Sequence, residues 1–120
     1  MRKSLGILLA LALALPLSAS FKKSVMTETE NVRNATEKLV FKHKVSSDYH
    51  GTSIEVELKL SDGEAELRAL DQEGNVRWRQ SFERGDATVQ RSFDNTGGWR
   101  VELELKKATG RYLVRIAGIS

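Results

Sequence analysis

His43, Asp48 and His50 fall within one stretch of eight residues, and imidazole nitrogen with carboxylate oxygen suits a divalent cation. Their spacing matches no compact motif. No third nitrogen or sulfur donor accompanies them, and the chain has no cysteine. Metal binding therefore stays a minor alternative, and no metal ligand is assigned. Asp48, Tyr49 and His50 are instead a candidate contact site, with Tyr49 the one aromatic residue in a predicted loop. Arg84-Gly85-Asp86 spells the tripeptide that integrins read, also in a predicted hairpin loop. Gly-Asp is ordinary turn chemistry as well, so Arg84 and Asp86 enter as contact residues only. Alternation along a strand places Lys38, Lys42 and Lys44 on one face, and a solvated face is expected there rather than an anion site.

Catalysis finds no support. The chain holds no Gly-x-Ser-x-Gly elbow, no phosphate loop and no His-Glu-x-x-His. Glu55, Glu57, Glu66, Glu102 and Glu104 occupy outward strand positions beside basic residues. That is the arrangement of solvated charge, not of a carboxylate pair with split pKa values. No catalytic residue and no cofactor is predicted. Asn34-Ala35-Thr36 is a glycosylation acceptor only in a eukaryotic secretory pathway.

The elements that would position these side chains read as strands. From Lys38 onward the pattern has period two. Leu39, Phe41 and Val45 share one phase, with His43 a polar interruption. Ile54, Val56, Leu58 and Leu60 alternate with charge, as do Ala65, Leu67 and Ala69. Val76, Trp78 and Phe82 follow, then Val89 and Phe93, then Trp99, Val101, Leu103 and Leu105, and last Tyr112, Val114 and Ile116. Trp78, Trp99 and Tyr112 are thereby predicted as core rather than as a sugar-stacking platform. Gly and Asx clusters separate the runs. The pattern predicts an all-β chain, a single antiparallel β-sandwich of about seven to eight short strands, immunoglobulin-like or jelly-roll in type.

Two registers follow from turn chemistry. A type I′ turn at Asp62-Gly63 pairs Leu60 with Ala65, Lys59 with Glu66, Leu58 with Leu67 and Glu57 with Arg68. A loop over 107–110 pairs Leu105 with Tyr112, Leu103 with Val114 and Val101 with Ile116, with Glu102 facing Arg115. The loop over 71–75 admits more than one register.

Residues 1–20 read as an export signal. Arg2 and Lys3 precede the apolar run 5–15, Pro16 closes it, and Ser18, Ala19 and Ser20 suit cleavage near Ala19 or Ser20. The run is too short to span a bilayer, so no stable membrane insertion is expected after cleavage. Residues 21–37 are polar and read as a lead-in or tether, with a helical turn near 28–33, and 38–120 form the domain. The 19 basic residues include Arg2 and Lys3, so 17 face 16 acidic ones in the mature chain, a net charge of +1. The signs are interspersed, which argues against nucleic acid.

Asp71-Gln72-Glu73-Gly74-Asn75-Val76-Arg77-Trp78 resembles the hairpin of GOLD-type and immunoglobulin-like domains. Gly97-Gly98-Trp99, followed by Gly110-Arg111-Tyr112-Leu113-Val114, is similar to the closing strands of those domains and of bacterial pre-peptidase C-terminal domains. The resemblance implies an interaction or accessory module and carries over no functional residue. The expectation is a secreted or periplasmic, non-catalytic module that binds an envelope or extracellular protein. It would do so through the loops 46–51 and 82–87 or through a strand edge at 39–45 or 89–93. The alternatives are a carbohydrate- or metal-binding envelope protein and a structural subunit assembling by edge pairing.

Overall fold

A computed structural model of the chain describes residues 25–120. The predicted signal and its cleavage point lie outside them. The described residues form five strands: β1 (Val25–Val45), β2 (Gly51–Leu70), β3 (Val76–Phe82), β4 (Gly85–Phe93) and β5 (Gly97–Ile119). All pairings are antiparallel, in the order β1-β5-β2-β3, with β4 also on β2.

Three of these strands are far longer than the usual five or six residues, and each changes partners midway. Residues 25–32 of β1, 110–119 of β5 and 51–60 of β2 form a first layer with β4. Residues 37–45, 97–105 and 65–70 form a second layer with β3. One continuous sheet is thus folded over into a sandwich. Five strands replace the seven or eight expected, because the chain bends where a break was predicted. Sequential segments cross between layers at every link but the one between β2 and β3, which is jelly-roll wiring.

The bends are stacked. β1, β5 and β2 turn at neighbouring register positions (Val32↔Gly110, Ala35↔Ala108, Leu60↔Gly110, Asp62↔Thr109). Each carries residues with positive φ there: Asn34 (46°), Gly63 (85°), Lys107 (50°) and Gly110 (150°). Close backbone approach adds to the demand for glycine. A Cβ on Gly63 would overlap the Lys107 carbonyl, and one on Gly110 the Lys59 carbonyl.

Both predicted hairpins are therefore corrected. Leu60 pairs with Gly110 and Gly85, and Ala65 with Leu105 and Phe82. Leu103 pairs with Leu39 and Leu67, and Val114 with Glu28 and Val56. Asp62-Gly63 and 107–110 turn the strand from one layer to the other instead of reversing it.

The interior lies between the layers. Ile54, Val56, Leu58, Tyr112 and Val114 face it from the first layer, and Leu67, Ala69, Trp99, Val101 and Leu103 from the second. Phe41 meets Tyr112 across the gap at 5.7 Å between ring centroids, and Phe93 bridges Trp99 (4.9 Å) and Trp78 (6.5 Å). The predicted core aromatics Trp78, Trp99 and Tyr112 are buried there. Residues 25–37, expected as a tether with a helical turn, are strand. They pair along β5 through backbone groups, while most of their side chains stay in water.

Candidate functional site

The β2–β3 hairpin is built on Asp71. Its Oδ1 accepts hydrogen bonds from the backbone N–H of Glu73 (3.1 Å) and of Asn75 (3.0 Å). Its backbone accepts from Gly74 N–H (2.9 Å) and donates to the Asn75 carbonyl (3.0 Å). This local network selects the register the sequence left open, Leu70↔Val76, with a bulge before Ala69↔Trp78. Arg77 Nη1 reaches Asp71 Oδ2 (3.4 Å) and donates to Asn95 Oδ1 (2.7 Å). Burial pushes the Asp71 carboxyl up, but the bonds from Asn75, Arg77 and Glu73 outweigh it and hold it below the ordinary carboxylate value.

From this loop Gln72 lies over the start of β5, where its Oε1 accepts the Gly98 N–H at 2.8 Å. A Cβ on Gly97 would overlap the Gln72 amide. Between the loop and the end of β1 runs an open groove of about 520 Å³, lined by Lys42, Lys44, Gln72, Glu73, Gly98 and Arg100 among others. Two of the predicted lysine trio thus border a groove, while Lys38 approaches Glu102 Oε1 (3.9 Å). Glu102 is buried on the outer surface of the second layer beneath Arg68 (3.2 Å) and Arg100 (3.3 Å). It does not face Arg115, which approaches Glu55 instead (3.9 Å).

The sequence-predicted contact residues separate into two groups. Asp48, Tyr49 and His50 lie in the turn between β1 and β2, fastened by Tyr49 N–H to the Ser46 carbonyl (3.1 Å) and His50 N–H to the Ile119 carbonyl (2.7 Å). Asp48 and His50 are exposed. Tyr49 is half-buried, its ring laid on Gly118 and against the core. Arg84 and Asp86 lie at the other end of β4, where Asp86 pairs with Lys59 and the short link 83–84 arches from one layer to the other. That link is not a hairpin loop, since β3 and β4 both pair with β2 and not with each other. Eight residues of β4 separate its ends, about 25 Å at strand rise, so the two groups form no common site. His43 sits half-buried opposite Trp99 in β1. Among the described residues no three His, Asp or Glu side chains are grouped to hold a metal.

Arginines on the flank between the edges of β3 and β4 were not anticipated. Arg77, Arg79 and Arg91 line an open pocket of about 430 Å³ with Val76 and Trp78. Arg77 lies over the Phe93 ring (5.7 Å) and Arg91 over the Trp78 ring (5.4 Å). Arg79 approaches Glu66 (3.6 Å), whereas Arg91 has no carboxylate within 4 Å among the described residues. A signal was present: Val89, Arg91 and Phe93 alternate, so Arg91 occupies the apolar phase of its strand.

No family model matches the chain, and no curated protein does. The resemblance to GOLD-type and pre-peptidase C-terminal domains finds no match, and what holds of it is the small β-sandwich. Solved structures similar to the chain include one from Bacillus endospore appendages, which are disulfide-linked pili (10% identity, 82% of this chain and 92% of that one, TM-score 0.45). A carbohydrate-binding module of Cellvibrio mixtus lichenase 5A, in complex with cellotriose, is similar at 17% identity over 81% and 88% (TM-score 0.47). The Yersinia pseudotuberculosis-derived mitogen is similar at 10% identity over 80% and 86% (TM-score 0.49).

Proposed function

We propose that the chain is a secreted or periplasmic module without catalysis of its own, binding a protein partner through a strand edge. The observation that carries this reading is β1. It spans both layers for 21 residues and, among the described residues, pairs on one side only, with β5. The large apolar side chains exposed among the described residues, Val25 (43%), Val40 (44%) and Val76 (47%), all lie on the edge strands β1 and β3. Unpaired backbone flanked by exposed valine suits β-strand addition, while the packing of Tyr49 on Gly118 makes the loop 46–51 a poorer contact surface.

The test is affinity capture from the envelope or culture fluid of the host. A specific partner lost with Val25→Lys/Val40→Lys but kept with the Tyr49→Ala/His50→Ala pair supports the edge. Loss with the loop pair alone overturns it.

The groove beside Gly98 favours a second reading, carbohydrate binding. Lys42, Gln72, Glu73 and Arg100 along it offer hydrogen-bonding groups for hydroxyls. Among the described residues every aromatic ring is buried or half-buried, so a sugar there would be held by polar side chains and not by stacking. A glycan-array signal abolished by Gln72→Ala and Arg100→Ala would favour it.

A further inference from the structure

We infer that the arginine flank on the edge of β3 receives the acidic edge, residues 25–32 of β1, of a second copy, so that copies join head to tail. This rests on the strand-edge reading and names the partner as the chain itself. Three observations carry it.

The first is the flank. Among the described residues β3 pairs on one side only, and Arg77, Arg79 and Arg91 line one pocket, where Arg77 approaches Asp71 (3.4 Å), Arg79 approaches Glu66 (3.6 Å) and Arg91 has no carboxylate within 4 Å. Stacking on Phe93 and Trp78 holds two of the guanidinium groups in place before anything binds. The second is the opposite edge. Glu28 and Glu30 pair with Val114 and Tyr112, whose side chains are buried, so both carboxylates stand in the interior phase of β1. They lie two residues apart, about 7 Å along the strand. Glu30 accepts from the Tyr112 hydroxyl (3.2 Å), and no cation lies within 4 Å of Glu28 among the described residues. An extended segment with paired carboxylates beside a free backbone edge complements a free edge beside arginines.

The third observation excludes the pairings of like charge. Joining β3 to β3 sets arginine against arginine, and joining 25–32 to itself sets glutamate against glutamate. The second half of β1 carries Lys38, Lys42 and Lys44 and is repelled by the arginines. Two unlike pairings remain for 25–32, with the arginine flank or with the lysine half of β1, and the guanidinium groups already stacked on Phe93 and Trp78 favour the flank. β1 and β3 close opposite flanks of the sandwich, so the contact is heterologous and each copy keeps one free site of each kind, which gives an open chain and not a closed dimer.

The experiment is sedimentation velocity over a concentration series on the protein as its host processes it. The expected result is a mass that rises through successive multiples of the monomer at low salt and falls back at high salt. Glu28→Gln/Glu30→Gln and Arg79→Gln/Arg91→Gln should each weaken association about tenfold. An equimolar mixture of the two variants keeps one intact contact per pair and should stop at dimers. A monomer at every concentration, a closed wild-type dimer, or chains indifferent to both variants overturns the inference. If the arginine variant does not fold, as near-ultraviolet circular dichroism would show, the exposed glutamate pair decides alone. A monomeric wild type whose host partner is still lost with Val25→Lys/Val40→Lys sinks self-assembly but leaves the strand-edge reading standing. If that capture fails too, both fall.

Discussion

Tyr49 was the sequence's first candidate for an exposed contact, and its ring is committed to Gly118. A Cβ built on Gly118 would lie 2.6 Å from Tyr49 Cγ and 2.8 and 2.9 Å from Cδ1 and Cδ2, the distances of a ring laid flat on the glycine. Gly118 shows no positive φ, so Gly118→Ala should cost only through the ring. Overpacking of this kind costs about 2 kcal/mol. Tyr49→Ala removes a half-buried aromatic side chain, about half of the 3–5 kcal/mol that full burial would give, so again about 2 kcal/mol. In the double variant the added methyl meets no ring. Its cost should be about 2 kcal/mol and not the sum of about 4, a coupling of about 2 kcal/mol. Urea unfolding followed by the fluorescence of Trp78 and Trp99, both buried, measures all four corners of the cycle. Each kcal/mol should also move Tm by about 4–8 °C in a domain of this size. A neutral Gly118→Ala, or additivity within about 0.5 kcal/mol, refutes the packing and frees Tyr49 to meet a ligand.

Asp71 makes stability depend on acid. Its carboxyl sits below its unfolded value, so its contribution is complete above about pH 4 and is lost as pH falls through the lower folded value. Asp71→Asn should lower the urea midpoint at neutral pH and flatten its dependence on pH below about 4, and an unchanged acid limb would contradict this. At the stacked bends, Gly110→Ala meets the Lys59–Leu60 peptide, its carbonyl and Leu60 Cα at 2.9 Å, at φ 150°. Neither neighbour is a flexible side chain, so the cost should be about 3 kcal/mol or more. Gly74→Ala, at φ 87° with nothing within 4 Å, should cost only about 1–2 kcal/mol. Equal costs at the two glycines would show that the bend is not tightly packed.

The inward residues were legible because period two reports burial whichever way the chain turns. Leu60 and Ala65 both face the core in a hairpin, from one layer, and both still face it where the strand bends, from opposite layers. In both cases the buried phase changes from even to odd across 61–64. The charges were no better guide. Lys59 and Glu66, matched in the supposed hairpin, take other partners: Lys59 approaches Glu57 (3.9 Å) and Glu66 approaches Arg79 (3.6 Å). Arg68, matched with Glu57, lies between Glu102 and Glu104. A surface with both signs interspersed satisfies many registers. What separates bend from hairpin is the neighbouring strand. Gly63 and Gly110 are close to each other's chain segments only because β2 and β5 bend together, and that coincidence is nonlocal.

Edge strands depart from the alternating apolar pattern for a different reason. A strand paired on one side at the margin of a sandwich covers little apolar surface, so 25–32 shows Thr and Glu where a central strand would show Val and Leu. The margin nevertheless leaves a mark, charge in the inward phase. Glu28 and Glu30 have it on β1, and Arg91 has it on β4. Inward charge on an edge deters indiscriminate sheet extension. Opposite signs on the two flanks make that deterrent selective, since each flank repels its own kind and admits the other. The residues that most disturb the alternating pattern are thus the ones that decide what each edge will accept.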